Sequence, residues 1–188
     1  MAWLTRDQLT ALGFAAFGDP VFLSDKASYY NCANMRLGRH VRIDDFCVLS
    51  AGSGGIVLGD YVHVAVYTSL IGQGRIALAD FSGLSSRVAV YSSNEDYSGA
   101  HLTNPTVPAA YTGVTHADVA IGKHAIVGAG AVILPGVTIH EGAAVGALSL
   151  VNRDCEAFGV YSGVPAKRIA ARKRDLLELE LRLRAAGL

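Results

Sequence analysis

The stretch "IGKHAIVGAGAVILPGVTIHEGAAVGALSLV" runs from Ile121 to Val151, and in it Ile121, Val127, Ile133, Ile139, Val145 and Val151 recur at a strict spacing of six. An α-helix does not produce that spacing, because six steps of roughly 100° place successive aliphatics on different faces. A plain alternating strand tolerates it, but would also want apolar residues at Lys123 and Glu141. Short strands wound around a triangular prism satisfy it: each hexad is one side, three sides make a coil, and the aliphatic points inward. Coils then stack at the spacing of neighbouring strands, about 4.8 Å. Hexapeptide repeats are a signature of parallel β-helices.

Upstream, Leu37, Ile43 and Leu49 form one such triad, Leu58, Val64 and Leu70 the next, and Leu78, Leu84 and Val90 a third. Four residues beyond the aliphatic a small or β-branched side chain recurs, including Val41, Cys47, Val62, Thr68, Ser82, Ala125, Ala131, Ala143 and Ser149. That position suits a corner. The expected fold is an all-β solenoid with caps. "TRDQ" at Thr5–Gln8 matches a capping box, which places a helical cap in residues 1–20. The prism is expected over 21–164 and a C-terminal helix over 165–188, where Ile169, Leu176, Leu179 and Leu183 recur at near-helical spacing. The helix should pack on the prism or on a partner chain. The basic run "KRIAARKR" reads equally as a solvated face.

The chain of 188 residues with zero formal net charge is sized for one domain and offers no general electrostatic capture of nucleic acid or of an anionic membrane. Its start shows no signal-peptide pattern, and its most apolar stretch is broken by Gly and Pro, so no membrane span is expected. Cys32, Cys47 and Cys155 form no metal motif. They read as reduced thiols of a cytoplasmic protein.

Between Val90 and Ile121 the repeat breaks. The segment 91–118 carries Asn94, Glu95, Asp96, Tyr97 and His101, a polar and aromatic cluster unlike the rest of the chain. A connection this long is more often functional than idle, although a solvated loop is the plain alternative. The prism interior is filled, so a pocket must form between loop and prism or between subunits.

The hexads, the protruding loop, the "AVGALSLV" coil and the closing "GVPAKRI" resemble the hexapeptide-repeat acyltransferases. "RIDDFCVLS", "SSRVAVYSSNEDYSG" and "VYSGVPAKRI" are similar to the enzymes that N-acetylate nucleotide-linked amino-deoxysugars for bacterial O-antigen or capsule. Among these the resemblance is to the viosamine type, whose acceptor is dTDP-4-amino-4,6-dideoxyglucose. The resemblance implies a left-handed parallel β-helix, a homotrimer with sites between subunits, acetyl-CoA as co-substrate and no metal. By hexad register the family's catalytic His falls on Asp96, and its sugar-contacting Asn on Tyr67. Its CoA contacts fall on Ala129, Ala147, Asn152, Arg153 and Lys167, the two cations suiting phosphates.

An alcohol acceptor benefits from a His base near pH 7. A free carboxylate is a poor base but a good partner for an ammonium. Asp96 in that place therefore favours an amine acceptor, with Glu95 able to share the role and Asn94 and Tyr97 beside it. His63 ends a hexad where some related N-acetyltransferases place a His near the acetyl group, either to polarise the thioester or as a corner residue. The second His of those enzymes, nine residues earlier, is replaced here by "SAGSGG". His101 reads as incidental.

The rival readings are a sugar O-acetyltransferase, a γ-type carbonic anhydrase and a non-catalytic scaffold. The second needs three converging His; here the His residues fall out of register. The third has no need of the polar loop.

Overall fold

The computed structural model describes residues 2–187. They form a left-handed β-helix of about seven turns. Its faces are two six-stranded parallel sheets and an eight-stranded sheet that is parallel except for its last strand. Register pairing stacks the hexad aliphatics into three columns. Leu37, Leu58, Leu78, Ile121 and Ile139 line the first face. Ile43, Val64, Leu84, Val127 and Val145 line the second. Leu49, Leu70, Val90, Ile133 and Val151 line the third. All fifteen are buried in one continuous core.

The small residues four places on are buried as well. The corner itself is turned one residue earlier, by a left-handed backbone. His40, Tyr61, Phe81 and His124 adopt φ of 57°, 59°, 59° and 59°. A non-glycine residue there costs roughly 1–2 kcal/mol. Stacking offsets it: the rings of these four residues lie face to face at 4.4, 4.8 and 5.1 Å, and an aromatic pair contributes about 0.5–1.5 kcal/mol beyond its buried area. The column continues at Gly142, φ +66°, where a Cβ would strike the Phe158 ring. Only glycine fits under that ring.

The capping box forms as expected on helix α1 (Arg6–Ala11), Thr5 and Gln8 satisfying each other's backbone N–H. The prism, however, begins before residue 21. Ala16–Phe17 already pairs with Arg36–Leu37, and Phe17, Leu23 and Tyr29 make a first coil at the same spacing of six. Two of its three inward residues are aromatic, which hides the repeat from a search for aliphatics.

The C-terminal segment also departs from expectation. Ala166–Ala171 is a strand, antiparallel to Gly159–Gly163, and the helix α2 spans only Leu176–Ala185. The local composition favours a helix, but pairing with the last prism strand covers an edge that would otherwise be open, and this tertiary ladder prevails. The basic run is not simply solvated. Arg172 donates to the carbonyls of His124 and Gly142 at 2.8 and 3.0 Å, and the Arg174 guanidinium lies 4.4 Å from the Phe158 ring centroid.

Helix α2 docks through charge more than through the expected leucines. Ile169 and Leu179 are exposed, whereas Glu180 is buried. Its carboxylate accepts from Lys123 Nζ and His124 Nε2, both at 2.7 Å, and from Arg184 Nε at 2.6 Å. Burial pushes the Glu180 pKa up, but the bonds from Lys123, Arg184 and His124 outweigh it and bring it from 4.5 down to about 2.

A carboxyl depressed by folding contributes stability that is full above its unfolded pKa and is lost as pH falls through the folded value. Protection of α2 amides from hydrogen exchange should therefore hold above pH 4.5 and decline towards pH 2, against the unfolded and folded pKa of Glu180. In Glu180→Gln that protection should already be reduced at pH 7 and should change little across the same window.

Candidate functional site

The excursion after Val90 is a built structure. Ser93–Asn94 pairs antiparallel with Thr115–His116 at its base. The Ser92 hydroxyl donates to Gly74 O at 2.7 Å, and Arg75 N donates to Asp118 at 2.8 Å, so both ends are fastened to the preceding coil. Farther out, Leu102 N donates to Tyr111 O at 2.9 Å.

Asp96 sits in this loop and is not a free carboxylate. One oxygen accepts from Ser98 N at 2.8 Å; the other accepts from His101 N at 2.9 Å and faces His101 Nδ1 at 3.0 Å. The bonds from Ser98 and then from His101 hold the Asp96 carboxyl well below the usual carboxylate range. His101, which reads as incidental in the sequence, is thus paired with the residue at the family's catalytic position. Gly113 closes the other side: a Cβ there would lie 2.5 Å from His101 Nδ1. With Nδ1–H directed at Asp96, Nε2 is the acceptor nitrogen of a half-exposed imidazole. The imidazole is thus held in one orientation by a carboxylate five residues earlier in the loop.

His63 lies on the second face, in register with Arg42 of the coil below. Its Nε2 is 2.9 Å from Asp44, which also accepts from Arg42 Nε at 2.7 Å. Burial raises the Asp44 pKa, but the bonds from Arg42 and His63 overrule it and keep the carboxyl below its ordinary value. A neutral His63 bonded in this way leaves Nδ1 as an acceptor. Polarising a thioester carbonyl would require the protonated ring. Around His63 is a shallow depression lined by Ala65, Ser85, Ser86 and Ile126.

Tyr67 occupies the neighbouring corner at φ 63°, stacked on Phe46 at 5.0 Å and under the Arg87 guanidinium at 5.4 Å. Asn94 and Tyr97 are exposed on the loop. Glu95 lines a cleft of about 560 Å³ between the loop and the early coils, which neither Asp96 nor His101 lines. His63 bonds Asp44 and Asp96 bonds His101; neither bond joins the two groups within the chain.

The positions assigned to CoA lie along one corner of the last coils. The ladder bonds run from Gly128 N to Val145 O and from Leu148 N to Ala129 O, bypassing the amides of the exposed Ala129 and Ala147. Coils approach closely there, since a Cβ on Gly128 would lie 2.5 Å from Ala147 N. Small side chains and outward amides fit a pantetheine arm. Asn152, Arg153 and Lys167 are exposed beyond it, Lys167 across the hairpin from Ser162.

Among the described residues no three His, Cys, Asp or Glu side chains gather as metal ligands. Cys47 and Cys155 are buried, and burial pushes both thiols up to about 11; they are core residues, not nucleophiles. No helix among the described residues is long and apolar enough to cross a membrane.

No family model matches the chain. It is 55% identical over 180 residues to a dTDP-4-amino-4,6-dideoxy-D-glucose acyltransferase of Escherichia coli, an alignment covering 96% of this chain and 94% of that protein. The chain belongs to the hexapeptide-repeat sugar acyltransferases. Among solved structures it resembles AntD, an N-acyltransferase of Bacillus cereus, crystallised as an aspartate mutant with dTDP and coenzyme A. That match has 41% identity and a TM-score of 0.94, and covers 99% of this chain and 100% of the other. A serine mutant of AntD holds dTDP-4-amino-4,6-dideoxyglucose and coenzyme A, at 41% identity and TM-score 0.94, with 98% of each chain covered. AntD is also seen with dTDP and 3-hydroxybutyryl-CoA.

The Asp96–His101 geometry makes a prediction for the acyl transfer. His101→Ala should lower turnover by about 10²–10⁴, the range that a positioned general base contributes. Asp96→Asn should lower it as well, while calorimetry shows CoA affinity within about twofold of the parent for both. Full activity in His101→Ala would assign the work to Asp96 alone.

Proposed function

We propose that the protein is an acyl-CoA-dependent N-acyltransferase that acetylates the 4-amino group of dTDP-4-amino-4,6-dideoxyglucose in the cytoplasm, for a bacterial O-antigen or capsule. The observation that carries acyl transfer in this reading is the oriented Asp96–His101 pair at the hexad position where the resembled family keeps its catalytic residue. The named activity of the relative at 55% identity supports the acceptor.

In this reading the amino sugar approaches as an ammonium, held near Asp96. His101 Nε2 takes its proton, and the freed nitrogen attacks the thioester carbon. A C–N bond forms, the C–S bond breaks, and CoA leaves as the thiol once a proton returns to sulfur. Ala129 and Ala147 offer backbone amides to the pantetheine arm, while Arg153 and Lys167 suit the nucleotide phosphates. Tyr67, Asn94 and Tyr97 face the acceptor.

His63 and the loop cluster lie on different parts of one prism. Bringing them around a single acyl group calls for a homotrimer in which the loop of one subunit reaches the face of the next. The exposed apolar ridge of Phe46, Tyr67, Ile126 and Leu148 suits such packing.

CoA-thiol release from acetyl-CoA tests the reaction. It should be rapid with dTDP-4-amino-4,6-dideoxyglucose and negligible with the 4-hydroxy counterpart. Comparable release with the hydroxyl compound would make the protein an O-acyltransferase. A preference for 3-hydroxybutyryl-CoA over acetyl-CoA would correct the donor and leave the acceptor in place.

A further inference from the structure

The cleft that receives Glu95 has a composition that the transfer chemistry does not explain. It lies between the loop and the early coils, with Ile71, Pro105, Val107 and Val114 supplying apolar walls. Its polar groups are Asn31, Gln73, Asn104, His116 and Glu95, together with small hydroxyl side chains, and no Lys or Arg lines it. Glu95 Oε2 is buried and has no hydrogen-bond partner. An acceptor oxygen left in that state costs roughly 1–3 kcal/mol, and more when charged. Such an atom calls for a donor, which a ligand seated in the cleft can supply.

Three parts of the acceptor could enter the cleft. A diphosphate brings no donor, and its charge would repel the carboxylate in a cleft without a cation. The reacting amine is placed, in the reading above, at the Asp96–His101 pair, and neither of those residues lines the cleft. A neutral ring N–H suits the site.

The surrounding groups match a flat heterocycle. Gln73 turns its carbonyl oxygen to Ser53 N at 3.2 Å, which leaves its NH₂ available. Asn104 spends its carbonyl oxygen on Thr106 N at 3.0 Å, with the same result. Ser93 Oγ accepts from Gln73 N at 2.8 Å and meets His116 Nδ1 at 2.9 Å, fixing the orientation of the imidazole at the cleft wall. The cleft therefore offers one carboxylate acceptor among side-chain amide donors, between apolar walls.

We infer that this cleft binds the nucleobase of the acceptor, with Glu95 accepting the thymine N3–H and the side-chain amides donating to the flanking carbonyl oxygens. Glu95 is then a specificity residue. Thymine presents acceptor, donor, acceptor along that edge. Cytosine presents an amine and an unprotonated ring nitrogen, whose lone pair would face the carboxylate. The inference rests on the nucleotide-sugar reading above and deepens it by naming how the nucleotide is chosen.

The test uses free dTDP and dCDP as inhibitors of acyl transfer, because neither carries the amino sugar. In the parent protein dTDP should inhibit at least about 100-fold more tightly than dCDP, a site built around a hydrogen bond rejecting strongly the analogue that lacks it. Glu95→Gln can turn either its oxygen or its nitrogen to the ring, and should bring the two inhibitors within about tenfold of each other. Glu95→Ala should weaken dTDP inhibition by about 10–100-fold, raise the KM for the dTDP-amino sugar in parallel, and leave kcat and the KM for acetyl-CoA within about twofold.

Unchanged dTDP inhibition in both variants, with the KM for the amino sugar raised, would place Glu95 at the amine and overturn the inference. Unchanged inhibition and unchanged KM would remove Glu95 from the acceptor altogether. Turnover of dTDP-4-amino-4,6-dideoxyglucose in the parent separates these failures from failure of the underlying reading. If the parent neither turns over that acceptor nor is inhibited by dTDP, both readings fall.

Discussion

Everything in this molecule hangs on one constraint: each strand must find its backbone partners one coil below and one coil above. The chain can meet it only by turning a corner after every hexad, and most of these corners are turned by a left-handed residue. The sequence places rings at many of those corners instead of glycine. A ring at φ near 59° is strained alone, but stacks on the ring of the next coil at 4.4–5.1 Å. Strain and stacking are of similar size, so a corner column holds together only when successive coils agree. The ladder thus sets coil length, and coil length sets which side chains can meet.

This is why the interior is legible in the sequence and its two ends are not. Leu37, Leu58, Leu78, Ile121 and Ile139 each open a triad of hexads, and they can be stacked once the triads are recognised. The first coil follows the same count, but Phe17 and Tyr29 stand where aliphatics are expected. At the other end, "AKRIAA" has the composition of a helix and lies in a strand because Gly159–Gly163 presents an edge beside it. Local composition carries no record of that edge. Nor does the leucine spacing of the last helix reveal that Glu180 is its buried contact, since a carboxylate enters a core only when cations from distant parts of the chain converge on it.

The candidate site divides in the same way. His63, Arg42 and Asp44 belong to adjacent coils, and the register that stacks Ile43 on Val64 also brings these three together. Counting hexads is enough to reach that contact. Hexad register also locates Asp96, but it says nothing of a partner for it, because the loop obeys no period. Only the folded excursion, pinned at Ser92 and Asp118, brings His101 back to Asp96. Gly113 is a trace of that pairing, since its missing side chain makes room for the imidazole. In the sequence, however, a single loop glycine marks a turn as readily as it marks a neighbouring ring.

The pairing of Asp96 with His101 changes the argument about the acceptor. A carboxylate at the family's histidine position, taken alone, favours an amine because it is too weak a base for an alcohol. The same carboxylate behind an imidazole is an orienting group, and it leaves the far ring nitrogen able to accept a proton. Such a pair would serve a hydroxyl as well as an amine. The preference for an amine then cannot come from the strength of the base. An amine freed of one proton attacks a thioester without further help, whereas a hydroxyl must lose its proton during the attack itself. Selectivity has to arise in how the acceptor is held, and the groups able to hold it are on the loop and in the cleft beneath it. The loop therefore does more than close the site: it holds His101 against Asp96, and Glu95 beside them lines the cleft beneath it.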